Sequence, residues 1–281
     1  MPHATESFTA RRPRVWCPGP WPTDGRVNLP ADAVHHLTRV LRMREGDAIE
    51  LFDGQGRRAA CRLALPGASS VLAVLEEAGT QSPPARLQIR LAQALAKGDK
   101  MDWIIEKAVE LGVSALQPLQ ARRSVLELST QRLNQRMGHW QRVVVAAATQ
   151  CGQDRLPWLA PPKPALQWLS HPDDMDPHAC DTQQRKQPTG SAAAPASGLR
   201  LLLDPAGAQG LDALERETRN ETPPHQIDLA IGPEAGWDPA EIDAALRSGW
   251  RLLRVGPRVL RTETAGLAVL AALQDRWGDW R

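Results

Sequence analysis

The chain contains 281 residues, of which 42% are hydrophobic and 23% are charged, and its formal net charge is +2. These values are ordinary for a globular protein, and the length favours two domains over one. The longest strongly apolar run, at residues 266–273, is far shorter than the roughly 20 residues of a membrane-spanning helix, and the polar first residues predict no secretory signal. The four cysteines are widely spaced and form no CxxC pair, which argues against a disulfide framework and a zinc site and is typical of a cytoplasmic protein.

Short strand-like runs separated by turn residues occupy the first part of the chain, after a predicted disordered leader at residues 1–12. One helix is predicted at Ala31–Arg42, with Val34, Leu37, Val40 and Leu41 on its inner face. Strands at this spacing predict a small β-barrel domain at residues 13–80, with a linker at Gly79–Pro84. The predicted strands are Val27–Leu29, Ala48–Phe52, Ala59–Leu65 and Ser70–Leu75.

From Ala85 onward, strands alternate with helices, which predicts an α/β domain with a mainly parallel sheet at residues 85–281. Residues 170–198 contain almost no large apolar side chain and are predicted to be a disordered insertion. The predicted strands are Leu87–Leu91, Ala115–Leu119, Leu199–Leu203, Ile227–Ile231 and Trp250–Val255. The predicted helices are capped by Asp99, by Ser129 or Thr130, and by Asp238, and a final helix covers Thr262–Trp277.

Three loops follow strand ends and carry unusual chemistry: 204–207 (DPAG), 231–237 (IGPEAGW) and 256–265 (GPRVLRTETA). Ligands of open α/β sheets bind beyond the carboxyl ends of the strands, where glycines allow the backbone to approach a ligand closely. Each loop alone is better explained as an ordinary strand-to-helix turn, because Gly-Pro turns are common, but the three together favour a binding site. Neither GxGxxG nor GxxxxGK[ST] occurs, so a dinucleotide or phosphate-loop site has no support.

The segments LLLDPAG, IGPEAGW and VGPRVLRTETAG, in this order before a final helix, resemble the 16S rRNA (uracil(1498)-N(3))-methyltransferase family of the SPOUT superfamily. Further matching blocks lie at residues 36–47, 106–113, 122–124 and 147–152, so the resemblance covers roughly residues 13–165 and 199–277. It implies a PUA-like N-terminal β-barrel and an α/β domain whose mainly parallel sheet is tied in a trefoil knot. The chain departs from the family pattern at Ala235, Trp237 and Gln153.

The resemblance also implies an S-adenosyl-L-methionine site in the knot, a homodimer formed through the C-terminal helix, and a cytoplasmic enzyme. The implied reaction methylates N3 of one uridine in the 16S rRNA of the small ribosomal subunit. The residues that the resemblance places around the cofactor are Leu203, Asp204, Ile231, Gly232, Pro233, Glu234, Gly236, Val255, Gly256, Leu260, Arg261, Thr262, Thr264 and Ala265.

Methyl transfer from a sulfonium to a ring nitrogen needs the N3 proton removed and the nitrogen aimed at the methyl group. Arg261, Glu263 and Glu234 are the catalytic candidates. The hypothesis assigns Arg261 to the developing charge on a uridine carbonyl oxygen. Glu263 or Glu234 then orients groups or accepts the proton, while Glu263 alternatively caps the last helix.

A set of arginines is the candidate RNA-binding surface, because clustered basic side chains neutralise phosphates. A solvated basic face is the competing interpretation. Adjacent His35 and His36 are predicted to take part in helix packing, and no metal site is predicted. Glu106 and Glu110 are predicted to lie on a solvated helix face. The arginines of the candidate RNA-binding surface are Arg14, Arg39, Arg42, Arg44, Arg122 and Arg123.

Two other functions remain open on the residues alone. One is a methyltransferase of the same superfamily acting on another rRNA or tRNA position. The other is a non-catalytic RNA-binding factor of ribosome assembly, which predicts damaged cofactor loops, whereas the loops of this chain match the family pattern.

Overall fold

The computed structural model describes residues 12–67, 70–124, 130–171, 198–218 and 223–280. Most of the predicted leader, at 1–11, and most of the predicted insertion, at 172–197, lie outside these residues. The chain divides into two compact units: the first combines the residues up to Pro84 with Ala148–Leu156, and the second combines Ala85–Ala147 with the residues from Pro157 onward. Within the described ranges, no helix has the length and apolar character needed to cross a membrane.

The first unit contains a six-stranded mixed sheet. Its strands are β1 (Arg14–Trp16), β2 (Arg26–Asn28), β3 (Ala48–Phe52), β4 (Arg57–Gly67), β5 (Ser70–Leu75) and β6 (Thr80–Gln81). The order is β1-β3-β4-β5-β2, in which β1 and β3 are parallel and the other pairs are antiparallel. The prediction of a linker was wrong at Thr80 and Gln81, because these residues pair with β4.

The helix predicted at residues 31–42 is shorter and changes its form. Helix α1 covers Ala31–His35 and continues as one π-helical turn, His36–Val40. The chain then turns through Arg42, whose φ of 54° lies in the left-handed region and ends the helix. The widened turn redirects the following side chains, so Leu37 is buried whereas Val40 and Leu41 are 59% and 43% exposed.

The second unit contains the predicted parallel sheet, which confirms the α/β class. Its strands are β7 (Gln88–Ala94), β8 (Ala115–Gln120), β9 (Trp158–Leu159), β10 (Lys163–Pro164), β11 (Leu199–Leu203), β12 (Gln226–Ile231) and β13 (Arg251–Leu253). The order is β10-β8-β7-β12-β11-β13, with β9 beside β8, and every pair is parallel. The trefoil knot stays a prediction.

Six helices are described in the second unit, counting the long α3, whose last turn belongs to the first unit. The Asp238 side chain accepts from the backbone and Glu241 completes a capping box, as predicted. Asp99 occupies the N-cap position of its helix, but its side chain makes no capping hydrogen bond, so that prediction was wrong. The helices are α2 (Lys100–Glu110), α3 (Thr130–Cys151), α4 (Ala165–Ser170), α5 (Leu211–Thr218), α6 (Pro239–Arg247) and α7 (Thr262–Trp277).

A buried ion pair joins the two central strands of this sheet. Arg90 of β7 lies opposite Asp228 of β12, and its guanidinium donates two hydrogen bonds to that carboxylate. Both residues are almost fully enclosed, with exposures of 8% and 1%. Because a buried charge needs its partner, this pair favours one register between β7 and β12.

Candidate active site

A cavity of about 420 Å³ lies at the carboxyl ends of β11, β12 and β13. Its wall is built from the three loops that the sequence singled out. The lining residues are Leu203, Asp204, Pro205, Ile231, Gly232, Pro233, Glu234, Ala235, Gly236, Trp237, Leu253, Arg254, Val255, Gly256, Pro257, Arg258, Val259, Leu260, Thr262 and Ala265. All of the predicted cofactor residues therefore lie on this wall except Arg261 and Thr264.

The first loop is held tightly against the end of β13. The Asp204 carboxylate accepts a hydrogen bond from the backbone N–H of Ala206 at 2.7 Å, which closes the turn. A Cβ added to Gly207 would lie 3.0 Å from the carbonyl carbon of Leu253 and 3.1 Å from the nitrogen of Arg254. Because backbone atoms move aside less easily than a flexible side chain, this position favours glycine.

The second loop is joined to the first by a tryptophan. Trp237 is buried, and its indole Nε1 donates to the backbone oxygen of Leu203 at 3.0 Å. A Cβ on Gly232 would lie 3.1 Å from the same indole, so this glycine makes room for the ring. In the sequence Trp237 is the last residue of the second loop and a departure from the family pattern; in the structure it joins two walls of the cavity.

The third loop is anchored through Thr262, the first residue of α7. Its hydroxyl donates to the backbone oxygen of Gly232 at 2.6 Å and accepts from Nε2 of Gln93 at 3.0 Å. Gln93 is fully buried near the end of β7, so β7, the second loop and the third loop meet at one hydroxyl. The sequence reasoning missed Gln93, because β7 also contains Gln88 and Arg90 and no local signal distinguishes Gln93 from them.

We expect Thr262→Val to lower cofactor affinity about tenfold and to destabilise the protein by about 1–3 kcal/mol, because it leaves the buried Gln93 amide and the Gly232 carbonyl without their common partner. Calorimetric titration and urea unfolding measure the two effects. Thr262→Ser, which keeps the hydroxyl, should restore most of both. Equal losses in the valine and serine variants would show that the hydroxyl does not hold the loops.

Lys100, at the start of α2, lies between the two predicted catalytic carboxylates. Its Nζ is 3.5 Å from Oε1 of Glu234 and 3.3 Å from Oε1 of Glu263. Burial raises the pKa of Glu263, but hydrogen bonds from its own backbone N–H and from Lys100 outweigh burial and leave the pKa below its usual value. Glu263 is therefore an ionised partner of Lys100 at neutral pH, and a low pKa weakens it as a proton acceptor.

Arg261 occupies the N-cap position of α7, and its backbone oxygen accepts from the N–H groups of Thr264 and Ala265. Its side chain is exposed and does not belong to the cavity wall. The backbone of this residue thus begins the helix, while its exposed side chain is not among those that line the cavity.

The predicted RNA-binding arginines fall into different environments. Arg122 and Arg123 are exposed, with their side chains 3.4 and 3.8 Å from the Asp238 carboxylate, directly after the second loop. Arg14 is a correction: it is buried, it pairs with Glu50 at 2.7 Å and Asp154 at 2.5 Å, and a phosphate cannot reach it without breaking these pairs. The remaining candidates, Arg39, Arg42 and Arg44, are exposed in the first unit.

The other titratable groups singled out in the sequence have simpler roles. His35 and His36 are both exposed, so the prediction that they pack in the helix was wrong. Lys107 lies 2.7 Å from Glu106 and 2.8 Å from Glu110, and these hydrogen bonds raise its pKa to about 12. In the described part of the chain, no three His, Cys, Asp or Glu side chains come together as metal ligands do.

Comparison with known proteins gives two family matches. Residues 83–274 match an RNA methyltransferase domain, and residues 29–76 match an RNA methyltransferase PUA domain. A ribosomal RNA small subunit methyltransferase E of Synechocystis is 31% identical over 250 residues, which cover 89% of this chain and 73% of that protein.

Two solved structures are similar over nearly their whole length. The ribosomal RNA small subunit methyltransferase E of Neisseria gonorrhoeae, solved bound to S-adenosyl methionine, is 30% identical, covers 96% of this chain and 100% of its own, and has a TM-score of 0.77. A methyltransferase of Legionella pneumophila, solved with the bound cofactor SAM, is 28% identical, covers 96% and 99% of the two chains, and has a TM-score of 0.79. With an RNA methyltransferase model matched over most of its length, this chain belongs to the ribosomal RNA small subunit methyltransferase E family.

Proposed function

We propose that this chain transfers a methyl group from S-adenosyl-L-methionine to N3 of one uridine in the 16S rRNA of the small ribosomal subunit. The observation that carries the proposal is the cavity enclosed by the three loops at the carboxyl ends of β11, β12 and β13. Its volume of about 420 Å³ is within the range of small-molecule sites. The uridine and its N3 position come from the family resemblance.

The lining chemistry fits this cofactor. The cavity wall offers apolar side chains for a flat adenine ring, among them Ile231, Leu253 and Leu260, and the carboxylates of Asp204 and Glu234 for positive charge. S-adenosyl-L-methionine, when bound, supplies a methyl group on a positively charged sulfur and carries a protonated amine. Gly232 and Gly256 would let the backbone approach the cofactor closely.

The chain's own residues would then act on the uridine. In the proposal, the Arg261 guanidinium stabilises negative charge on a carbonyl oxygen of the base as N3 loses its proton. Glu234 stands at the wall with a carboxylate that can accept the proton, while Glu263 stays ionised and holds Lys100. Positioning supplies much of the rate, because the nitrogen must be aimed at the methyl carbon.

RNA contacts would come from both units. Arg39, Arg42 and Arg44 are the proposed phosphate contacts of the first unit, and Arg122 and Arg123 those of the second. A paired base must leave its stack before N3 is accessible, so the substrate is a partly assembled subunit in the proposal. The proposal also includes a homodimer formed through α7 and a location in the cytoplasm, where ribosomal subunits are assembled.

The experiment combines two measurements on the full chain. Calorimetry with S-adenosyl-L-methionine should give one saturable site, and labelled cofactor should transfer its methyl group to purified small subunits that lack the modification. Mass-spectrometric mapping should place the methyl group on N3 of a single uridine. A modified base elsewhere in rRNA or in tRNA would replace the proposed target, and absence of cofactor binding would favour the non-catalytic assembly factor.

A further inference from the structure

Helix α3 has an unusual charge distribution for a protein that has 34 basic and 32 acidic residues. Its 22 residues include three arginines and a histidine but no aspartate or glutamate. Four polar side chains on one side of the helix are exposed: Arg132, Gln135, His139 and Arg142. At 1.5 Å per residue, the two arginines are about 15 Å apart along the axis. We call the surface formed by these four residues and Gly138 the α3 face.

The two arginines of the α3 face have no anionic partner in the part of the chain that the structure describes. Among the described residues, neither Arg132 nor Arg142 forms an ion pair, in contrast to Arg122, Arg251 and Arg276 of the same unit. Asp102 contacts the face, but its carboxylate is already bound by His139 at 2.5 Å and Trp140 at 3.1 Å. The positive charge of the α3 face is therefore available to an external anion.

Gly138 lies between Arg132 and Arg142 along the helix axis, at the edge of this face, and no contact with the described residues explains it. Glycine weakens a helix interior relative to alanine. A Cβ built at Gly138 would have no neighbour within 4 Å among the described residues, and its backbone has none of the positive φ values that favour glycine. No packing contact among the described residues requires the glycine, whereas an external backbone that approached between the flanking arginines would use the space left by the missing side chain.

The α3 face is connected to the rim of the cavity through α2. The Asp102–His139 hydrogen bond joins the two helices, and Trp103, next to Asp102, is 44% exposed. Lys100, one turn earlier on α2, reaches Glu234 on the cavity wall. Exposed cations, hydrogen-bonding amides and an exposed indole, running toward a site for a turned-out base, match what a ribose-phosphate backbone needs.

We propose that the α3 face is a second RNA-binding surface, which holds a ribosomal RNA strand by its phosphates next to the methyl-transfer site. This inference rests on the proposed function and adds a contact surface in the methyltransferase unit. It predicts that Arg132 and Arg142 each neutralise a phosphate, with Gly138 beneath the RNA backbone between them.

The test is a charge-matched pair of double variants of the full chain, with small subunits lacking the modification as the probe. Arg132→Ala/Arg142→Ala should weaken binding to the subunit at least tenfold and reduce the slope of log K against log salt by about 1.5, since each phosphate contact contributes about 0.7–0.9. Its affinity for S-adenosyl-L-methionine should be unchanged. The control, Arg216→Ala/Arg247→Ala, removes two exposed arginines from α5 and α6 and should behave like the wild type.

Gly138→Gln separates RNA contact from folding. It should keep or raise the melting temperature, because glutamine is the better helix former, and yet weaken subunit binding at least threefold. Equal binding by the two double variants, or full affinity in Gly138→Gln, would overturn the inference. A change in oligomeric mass of the Arg132→Ala/Arg142→Ala variant would also overturn it in favour of a second copy at this face. If the wild type itself neither binds nor methylates the subunit, the proposed function fails instead.

Discussion

Arg261→Ala should lower the turnover number for methylation of small subunits by about 10²–10³-fold, which is the effect of removing one group that stabilises transition-state charge. The dissociation constant of the Arg261→Ala variant for S-adenosyl-L-methionine should stay within about twofold of the wild-type value. The reason is geometric: the Arg261 side chain is exposed and lies outside the cavity wall, while the contacts that begin α7 are made by its backbone oxygen.

The measurement separates chemistry from binding by single-turnover methylation with saturating cofactor and subunit. Arg247→Ala, on the exposed side of α6, is a control for the loss of one surface charge and should be fully active. Arg261→Lys should recover only part of the rate, because an ammonium lacks the planar fork of the guanidinium. Unchanged turnover in Arg261→Ala would remove this residue from the mechanism.

Asp228→Ala should lower the free energy of unfolding by about 3–5 kcal/mol, because it leaves the Arg90 guanidinium buried without its main partner. Asp228 is 1% exposed, so water cannot replace the lost carboxylate at low cost. The nearby Arg200, at 3.9 Å from the same carboxylate, loses a favourable interaction as well. Urea unfolding followed by circular dichroism measures the change.

Asp212→Ala is the matched control for this effect. Asp212 also pairs with an arginine, Arg276, at 2.7 Å, but its side chain is 81% exposed. Exposed ion pairs contribute less than about 1 kcal/mol, so the control should unfold close to the wild type. If both variants lost the same small amount, the buried pair would not be holding the register of β7 and β12.

Local sequence patterns were most informative for features that depend on interactions between residues close together in the chain. Strand–helix alternation predicted the parallel sheet, and the Asp238–Glu241 spacing predicted a capping box that the structure contains. The same approach failed at residues 31–42, since a π-helical turn and the positive φ at Arg42 are not encoded by apolar periodicity.

In the candidate site, too, the residues in local motifs were predictable from the sequence and those brought together by the fold were not. The three loops were visible because glycine, proline and acidic residues at strand ends are local signals, and they do form one cavity wall. Lys100 and Gln93 were not visible as site residues, since they meet Glu234 and Thr262 across 134 and 169 residues of chain. These contacts depend on the order of the parallel strands in the sheet. That order depends on the crossover connections between strands, which local sequence patterns do not specify.

By itself, the sequence determined the element types, the loops that line the cavity and, through resemblance, the family. Tertiary structure alone decided which charged side chains can bind a partner outside the protein. Arg14 and Arg132 are both arginines in polar segments, yet Arg14 is buried against Asp154 whereas Arg132 has no described ion-pair partner. Burial and partnership depend on atoms distant in the chain, and the free energy of a charge is set by those atoms.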